Sequence, residues 1–360
     1  MRFSLDLSHH PWTRAADPAA TASQTLALAQ SADAAGIDAI WVTEDPDGWD
    51  AFALLGALAT VTRHVQLGTG VTNPYLRSPN LLAASLATLD RLSAGRAILG
   101  LGRGQPEWYA RSLGMDVGAP LAALAETIDL LRQWWSPPHR ASSPTDSSHF
   151  HVRDWERAIH PLQPHPPIYL AAAGPQALAL AGRLADGVIF NTLTSDTYLA
   201  DAIPAVRAAA AAAARDPSAL AFVLRTPVVV TADPEPVLER QKNLIALVNA
   251  LPGMDRLLQT PGFDLPAIMT AVRRHMRTGE ILASGGAFAD LRRAGDLPAA
   301  RAAIPTDLVA QLAIAGQLPH VRARLHALAA LGITHVSVTP PPPPAPSEAL
   351  ATLLHDLRSP

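Results

Sequence analysis

The sequence predicts an α/β protein that folds as a single TIM barrel, a closed (β/α)8 cylinder, with insertions. Short segments of continuous apolar residues alternate with longer segments whose apolar residues recur at helical spacing, as a parallel sheet covered by helices requires. Eight strand segments can be distinguished, and 360 residues suit one barrel of this kind as well as two average domains. The alternative is an open parallel sheet of about six strands with a separate helical domain. A closed barrel would place functional residues at the carboxyl ends of its strands.

The first hundred residues contain four strand segments with helices between them. The predicted strands are 3–7, 38–43, 65–71 and 96–102, and the predicted helices are 21–36, 50–62 and 78–93. Gly36 ends the first helix, and Ser78 followed by Pro79 begins the third. This alternation predicts the first half of the barrel.

The second half continues the alternation around two insertions. Strands are predicted at 166–173, 187–191, 220–230 and 335–340, with helices at 121–135, 176–186, 318–332 and 347–357 and an alanine-rich helix ending at Arg215. Residues 136–165, rich in Pro, Ser and His, predict a loop insertion, and residues 234–317 predict a helical insertion broken by Pro and Gly. We therefore expect one domain over residues 1–360. The run PPPPPAP at 340–346 predicts a stiff extended segment.

Composition excludes several classes of function. With 28 Lys and Arg against 31 Asp and Glu, the formal net charge is −3, so no broad positive field attracts nucleic acid or an anionic membrane. The absence of Cys excludes disulfides, thiol catalysis and thiolate metal sites. The 13 His residues show no metal-binding spacing, and we predict no metal. Without a signal peptide or an apolar run of roughly 20 residues, we expect a cytoplasmic protein that acts on a small molecule.

Two adjacent carboxylates, Glu44 and Asp45, follow the second predicted strand. Side chains alternate along an extended chain, so one of the two should face the barrel mouth and the other the surrounding helices. The simpler interpretation is that acidic residues here cap the helix that begins near Asp50 or lie in a solvated loop. A carboxylate that faces the mouth predicts general acid or base chemistry.

Glycines at positions 100, 102 and 104 remove side chains from one face of the fourth strand end. Either a flat ligand lies against this backbone, or neighbouring strands pack closely there. Arg103, between the glycines, is a candidate for a ligand contact or for a structural ion pair. Gln105 follows directly.

The fifth strand turns into a helix through Ala173, Gly174 and Pro175. Backbone amides at such a turn, at the positive end of a helix dipole, predict a site for an anion such as phosphate. Asn191 and Thr192, at the end of the sixth strand, are small polar donors that would complete this site. The alternative is an ordinary helix start with Pro at its first position.

Several segments together resemble the bacterial luciferase-like superfamily. They are GIDAIWVTED (36–45), LGALATVTRHVQLGTGVTNPYLRSP (55–79), ATLDRLSAGRAILGLGRG (87–104), PPIYLAAAGPQALALAGRLADGVIFN (166–191) and IPTDLVAQLAIAGQLPHVRARLHALAALGITHVSV (304–338). The sequence is most similar to the branch typified by methylenetetrahydromethanopterin reductase, which uses the deazaflavin coenzyme F420. The resemblance covers nearly the whole chain and is weakest at 136–160 and 235–295.

The resemblance implies that a bulge at the end of the third strand contains a non-prolyl cis peptide bond, which backs the planar ring of a flavin or deazaflavin. By position this bond joins Gly70 and Val71, and the missing side chains would make room for the ring. The cofactor phosphate is then expected at the fifth-strand turn and at Thr192. The predicted cofactor-binding residues are Gly70, Val71, Gly102, Arg103, Gly104, Ala173, Gly174, Pro175, Asn191 and Thr192.

Two residues depart from the pattern of the deazaflavin-dependent sugar-phosphate dehydrogenases that this chain resembles. Those enzymes carry a histidine that serves in proton transfer where this chain has Asp45, and a glutamate where it has Gln105. The resemblance therefore supports the same cofactor but argues against oxidation of a sugar phosphate.

We expect an F420-dependent oxidoreductase that transfers a hydride between the deazaflavin and an organic substrate, acting as a reductase. Asp45 or Glu44 would donate or accept the proton, and Gln105 would orient the substrate or hydrogen-bond the ring. The predicted substrate-facing residues are His9, His10, Trp49 and Trp108. Two alternatives are an FMN-dependent monooxygenase that uses oxygen and a paralogue that binds a flavin-like ligand without turnover. A homodimer is expected from the resemblance.

Overall fold

Eight parallel strands form a closed barrel in the computed structural model, which describes residues 1–8, 17–339 and 347–359. The strands are β1 (Arg2–Leu7), β2 (Ala39–Val42), β3 (Gln66–Thr69), β4 (Ala97–Leu101), β5 (Ile168–Ala171), β6 (Gly187–Phe190), β7 (Ala221–Val230) and β8 (His335–Val338). Each coincides with one of the strand segments predicted from apolar runs. His9, His10 and the proline-rich run 340–346 lie outside the described residues.

The barrel closes because its first and last strands pair. β8 lies beside β1, beginning with His335 opposite Arg2, and the neighbours then run β2, β3, β4, β5 and β6. β6 pairs in turn with β7, beginning with Gly187 opposite Ala221, and β7 pairs with β8. The predicted TIM barrel is confirmed, and the open sheet is excluded.

A bulge interrupts the pairing of β7 with β8. Leu224 lies opposite Val336, but the next residue of β8 lies opposite Pro227. Arg225 and Thr226 are therefore extra residues of β7 at this point. Such a bulge re-aims side chains at a barrel rim.

Helices surround the barrel and form the long segment between β7 and β8. Those in the described residues are α1 (Pro18–Ala35), α2 (Ala51–Val61), α3 (Pro79–Leu92), α4 (Pro120–Trp135), α5 (Pro175–Leu184), α6 (Asp196–Ala212), α7 (Glu235–Leu244), α8 (Leu265–Met276), α9 (Thr278–Ala283), α10 (Phe288–Ala294), α11 (Leu297–Ala302), α12 (Thr306–Leu312), α13 (Leu318–Leu331) and α14 (Ser347–Arg358). Single turns of π-helix occupy Trp108–Ser112 and Ile245–Asn249, and 3₁₀ turns occupy Pro217–Ala219 and Asp255–Leu258. No helix in the described ranges is both long and apolar enough to span a membrane.

Side-chain caps begin several of these helices. The Asp50 carboxylate accepts the N–H of Ala53 at 2.9 Å, so the simpler interpretation of this acid as a helix cap is confirmed. Ser78 accepts the N–H of Leu81 at 3.3 Å and is followed by Pro79, the predicted start of α3.

The barrel interior is filled by side chains. Trp41 and Tyr169 meet there, with their ring centroids 5.8 Å apart. A Cβ atom on Gly68 would lie 2.6 Å from the Trp41 ring, and one on Gly70 would lie 2.9 Å from the Trp41 Cβ. Both glycines therefore make room for the Trp41 side chain inside the barrel, and a cofactor ring beside Gly70 stays a prediction.

Both segments predicted as insertions contain short β-strands, although the sequence predicted only a loop for the first and helices for the second. Residues 136–165 include a short antiparallel pair, Arg140–Ala141 with Trp155–Glu156. Helices α7 to α12 share a hydrophobic cluster of their own, which includes Trp108 from the barrel side. The end of the predicted helical insertion is wrong, since Ile314–Gly316 is a strand that pairs with the end of β7.

Candidate active site

A cavity of about 650 Å³ opens at the carboxyl ends of the barrel strands. Its floor and sides come from the segments that follow β2 to β6 and from the bulge in β7. The segment between β7 and β8 covers one side through residues between Val248 and Phe288. This is the end of a TIM barrel at which catalytic and binding residues gather.

Residues from the separate sequence motifs meet in this cavity. The predicted residues that line it are Glu44, Asp45, Gly70, Val71, Gly102, Arg103, Gly104, Gln105, Trp108, Ala173, Gly174, Pro175 and Asn191. Thr192 and Trp49 are not part of its lining. The Trp49 indole N–H donates to the Thr43 carbonyl oxygen at 2.7 Å, and the Thr192 N–H donates to Asn191 Oδ1 at 2.8 Å. His9 and His10 lie outside the described residues.

The Glu44 carboxylate is buried and held by Arg77. Arg77 donates from Nε to both carboxylate oxygens at 2.9 and 3.0 Å and from Nη2 to Oε1 at 2.7 Å. The hydroxyl of Thr72 and the N–H of Ala51 also donate to this carboxylate. Both Glu44 oxygens are thus occupied by protein donors.

Tyr109 provides a neutral hydroxyl at the cavity, which sequence reasoning missed. Burial raises the pKa of its phenol well above the usual value, and the charges of Asp45 and Glu44 act in the same direction. Asn73 Nδ2 donates to Tyr109 Oη at 2.9 Å. Because that nitrogen occupies an acceptor position of Oη, the Tyr109 O–H is left to donate. Asn73 itself is fixed because its Oδ1 accepts two backbone N–H groups at 3.0 Å.

Gln105 and Trp108 lie on the segment that follows β4. Gln105 is 5% exposed, and its Nε2 donates to Glu107 Oε2 at 2.6 Å. Trp108 is 6% exposed and packs edge-on against Phe288, with ring centroids 4.7 Å apart. The Trp108 indole N–H is buried and has no acceptor among the described residues.

The three glycines at the end of β4 and after it each lie close to other atoms of the protein. A Cβ on Gly100 would lie 2.0 Å from the Thr69 carbonyl oxygen, and one on Gly102 would lie 2.6 Å from a Val71 methyl. Gly104 has φ +58°, and a Cβ there would lie 2.4 Å from Tyr109 Oη. Close packing thus accounts for all three glycines, and a flat ligand against Gly102 and Gly104 stays a prediction. Gly102 and Gly104 also line the cavity, so the tight packing shapes its wall.

The peptide bond between Gly70 and Val71 is cis, as the resemblance implies. Its carbonyl oxygen, on Gly70, accepts a hydrogen bond of 2.6 Å from Arg225 Nη1. Sequence reasoning missed Arg225. The available signal was a charged residue within an otherwise apolar strand segment, LAFVLRTPVVV, which is expensive to bury unless it is paired.

The amino end of α5 forms a second polar region of the cavity. Gly174 precedes the helix, Pro175 is its first residue, and no side chain caps it. A Cβ on Gly174 would lie 3.5 Å from Arg256 Nη1, so a guanidinium lies beside the open helix end. The Ala173 carbonyl is held by the Tyr198 hydroxyl at 2.6 Å. Free amides at a helix start together with an arginine suit a phosphate group.

Metal ligands are not clustered in the part of the chain that the structure describes, where no group of three or more His, Asp or Glu side chains could hold an ion. The charged residues of the cavity lining are instead Glu44, Asp45, Arg103, Arg225 and Arg256. The site therefore offers a carboxylate for proton transfer and cations for an anionic ligand.

Known proteins share both the sequence pattern and the fold. A 5,10-methylenetetrahydromethanopterin reductase of Methanolobus tindarius is 28% identical over 309 residues, which cover 86% of this chain and 87% of the reductase. An F420-dependent glucose-6-phosphate dehydrogenase of Kineococcus radiotolerans is 31% identical over 227 residues, which cover 60% of this chain and 66% of that enzyme.

The same fold is found in the solved structure of a coenzyme F420-dependent tetrahydromethanopterin reductase from Methanopyrus kandleri. It superposes with a TM-score of 0.74 at 21% identity and covers 98% of this chain and 96% of its own. The family model described as luciferase-like monooxygenase matches residues 1–335. The chain therefore belongs to the luciferase-like monooxygenase family.

Proposed function

We propose that this protein is an F420-dependent oxidoreductase that acts as a reductase on an organic substrate. The observation that carries the proposal is one cavity with two chemically distinct regions. The amino end of α5 with Arg256 suits an anion, and Asp45 with Gln105 and Tyr109 suits proton transfer. The relatives that match by sequence support the choice of F420 and of oxidoreduction.

The cavity fits a deazaflavin in size and in chemistry. A volume of about 650 Å³ lies within the range of small-molecule and cofactor sites. The uncapped end of α5 and Arg256 would hold the phosphate. Residues 70 and 71 on one side and 102 to 105 on the other would lie beside the ring. Asn191 would contribute from the end of β6.

The deazaflavin, when bound, supplies the hydride chemistry. The residues of this chain position the reactants and manage the proton. Asp45 would hold the proton that is exchanged with the substrate oxygen. Gln105 would keep its carbonyl oxygen for the substrate or the ring, since its amide N–H is bonded to Glu107. Tyr109 would donate a hydrogen bond while remaining neutral, because its raised pKa keeps the phenol protonated.

Glu44 would act as a positioning residue. Its pairing with Arg77 connects the end of β2 to the segment after β3, and its oxygens also accept from Thr72 and Ala51. These contacts fix the backbone from which Asp45 projects. A loss of Glu44 would therefore disturb the placement of Asp45 without removing a proton donor from the cavity.

A monooxygenase that uses reduced FMN and oxygen is the second candidate. The family description favours it, because luciferase-like monooxygenases give the family its name. We also propose that the protein is cytoplasmic, consists of one domain and has no nucleic acid or membrane partner, as its sequence predicts. The resemblance to the family predicts a homodimer.

Separate titrations of the purified protein with F420 and with FMN test the proposal. We expect the fluorescence of F420 to change on saturable binding, with FMN binding more weakly. Anaerobic addition of carbonyl compounds should then oxidise reduced F420. Preferential binding of FMN with oxygen-dependent turnover would support the monooxygenase. F420 binding without any substrate-dependent oxidation would support a binding protein.

A further inference from the structure

We propose that Glu107 is a positioning residue that holds the Gln105 amide with its carbonyl oxygen toward the cavity, so that the site selects a ligand group that donates a hydrogen bond. This inference rests on the proposed function and adds a specificity rule to the same cavity. The substrate is expected to carry an O–H or N–H group at this position. Two observations carry the inference: one short hydrogen bond, and one accessible oxygen without a partner.

Glu107 fixes which end of the Gln105 amide faces the ligand. Gln105 Nε2 donates to Glu107 Oε2 at 2.6 Å, a short distance that is typical of a hydrogen bond to a charged group. A carboxylate accepts hydrogen bonds and cannot donate them, so the reversed amide would place two oxygens against each other. Glu107 forms no ion pair with another described residue that would draw its carboxylate away from Gln105.

The Glu107 side chain itself stays out of the cavity. Gln105 and Trp108 line the cavity, but Glu107, which lies between them in the sequence, does not. The Trp108 N–H donates to the Gln105 backbone carbonyl oxygen at 3.0 Å and closes the turn that contains both side chains of the pair. Glu107 therefore acts through Gln105, whose amide is the group that reaches the ligand.

The side-chain carbonyl oxygen of Gln105 is an accessible acceptor. Oε1 accepts no hydrogen bond from the described residues, and it is not one of their enclosed side-chain atoms that lack a partner. Gln105 is 5% exposed and lines the cavity, so a ligand can reach this oxygen from the cavity. A ligand that covers the oxygen without offering a donor would leave it unpaired, which costs binding free energy. A ligand with an O–H or N–H group at this point avoids that cost.

Three small probes test this rule by calorimetric titration of the F420-loaded protein. Phenol and fluorobenzene have similar shapes, but only phenol has a donor, and benzonitrile has an acceptor without a donor. Gln105→Met keeps the length of the side chain and removes its carbonyl oxygen. It should weaken phenol about threefold to tenfold and leave fluorobenzene unchanged. Equal losses for phenol and fluorobenzene would overturn the inference.

Two variants of Glu107 separate positioning from a merely structural role. In Glu107→Lys the new ammonium group can only donate, so the amide should turn, phenol should bind more weakly and benzonitrile more tightly. In Glu107→Met the amide is released, and phenol should lose about twofold to threefold in affinity. That loss should vanish in the Gln105→Met background, because Glu107 acts through Gln105. A loss of the same size in both backgrounds would overturn the positioning role.

Glu156→Met is the matched control. Glu156 is exposed, pairs with Arg140 at 2.9 Å and does not line the cavity, so its replacement should leave all three probes unaffected. The affinity of the wild type for F420 is measured first. A wild type that does not bind F420 would show that the proposed function is wrong. Unchanged phenol binding in a Gln105→Met protein that binds F420 would show instead that this inference is wrong.

Discussion

Arg225 on β7 donates a hydrogen bond of 2.6 Å from Nη1 to the carbonyl oxygen of Gly70, which follows β3 on the other side of the barrel. The same guanidinium donates from Nε to Asp6 Oδ1 of β1 at 3.1 Å. Asp6 Oδ2 in turn accepts the Ser337 hydroxyl of β8 at 2.5 Å. One polar network thus joins β1, β7 and β8 to the segment after β3 at the cavity, and the bulge at Arg225 turns this side chain inward.

Replacement of Arg225 by Met should weaken both folding and cofactor binding. Asp6 would keep its charge in a partly buried position without its partner, which we expect to lower the free energy of unfolding by about 2–3 kcal/mol. The Gly70 carbonyl would also lose its donor, so the affinity for F420 should fall. Chemical denaturation and fluorescence titration measure the two effects.

The double variant Asp6→Asn with Arg225→Met provides the control. With both charges removed, stability should recover part of the loss, and the difference gives the coupling between the two side chains. Strictly additive losses would show that the pair contributes nothing of its own. An unchanged F420 affinity in Arg225→Met would place the ring elsewhere in the cavity.

Asp45→Asn should reduce turnover without reducing cofactor affinity. The amide cannot donate or accept a proton as a carboxyl group does, and loss of a general acid or base typically costs about 10²- to 10⁴-fold in rate. The rate is followed as oxidation of reduced F420 by the best carbonyl substrate. Asp47→Asn, two residues further along the exposed loop, should retain full activity. Equal losses of turnover and of F420 affinity would make Asp45 a binding group.

Arg256→Gln should weaken F420 while sparing the deazaflavin nucleoside that lacks the phosphate. A hydrogen bond to a charged group is worth about a tenfold to hundredfold change in affinity, so F420 should lose that much. Arg273→Gln is a suitable control, because Arg273 pairs with the neighbouring Asp255 at 3.0 Å and does not line the cavity. Similar losses for both ligands would contradict a phosphate at this end.

The strands and the motifs at their ends could be predicted because continuous apolar runs and turn residues are local signals. Ile314–Gly316 could not, since three residues between helical segments show no periodicity. The role of a glycine also depends on side chains whose positions the local sequence does not reveal. The Trp41 side chain fills the space beside Gly70, and the Tyr109 ring fills the space beside Gly104. For the same reason the sequence left Glu44 and Asp45 equivalent.

The pairing of Glu44 with Arg77 joins residues 33 positions apart, which no spacing rule connects. The location of Trp49 could not be predicted either. Its indole N–H donates to the nearby Thr43 carbonyl oxygen, and the Trp49 side chain is not part of the cavity lining. Arg225 is the exception. A lone arginine in an apolar strand could have been recognised as a paired, functional side chain.

His335 should make folding stability depend on pH. The side chain is 3% exposed in β8, and burial lowers its pKa from 6.5 to about 4. A lowered pKa means that the unfolded chain binds the proton first as the pH falls. The stabilisation is therefore complete above about pH 6.5 and declines as the pH falls toward 4, by on the order of 3 kcal/mol in total.

The variant His335→Gln removes this titration, so its free energy of unfolding should fall less steeply than that of the wild type between pH 6.5 and 4. Denaturant unfolding at several pH values in this window measures the difference in slope. His326→Gln is the control, because its side chain is exposed on α13 and is in water in both the folded and the unfolded chain. Parallel curves for wild type and His335→Gln would show that the buried imidazole does not control acid stability.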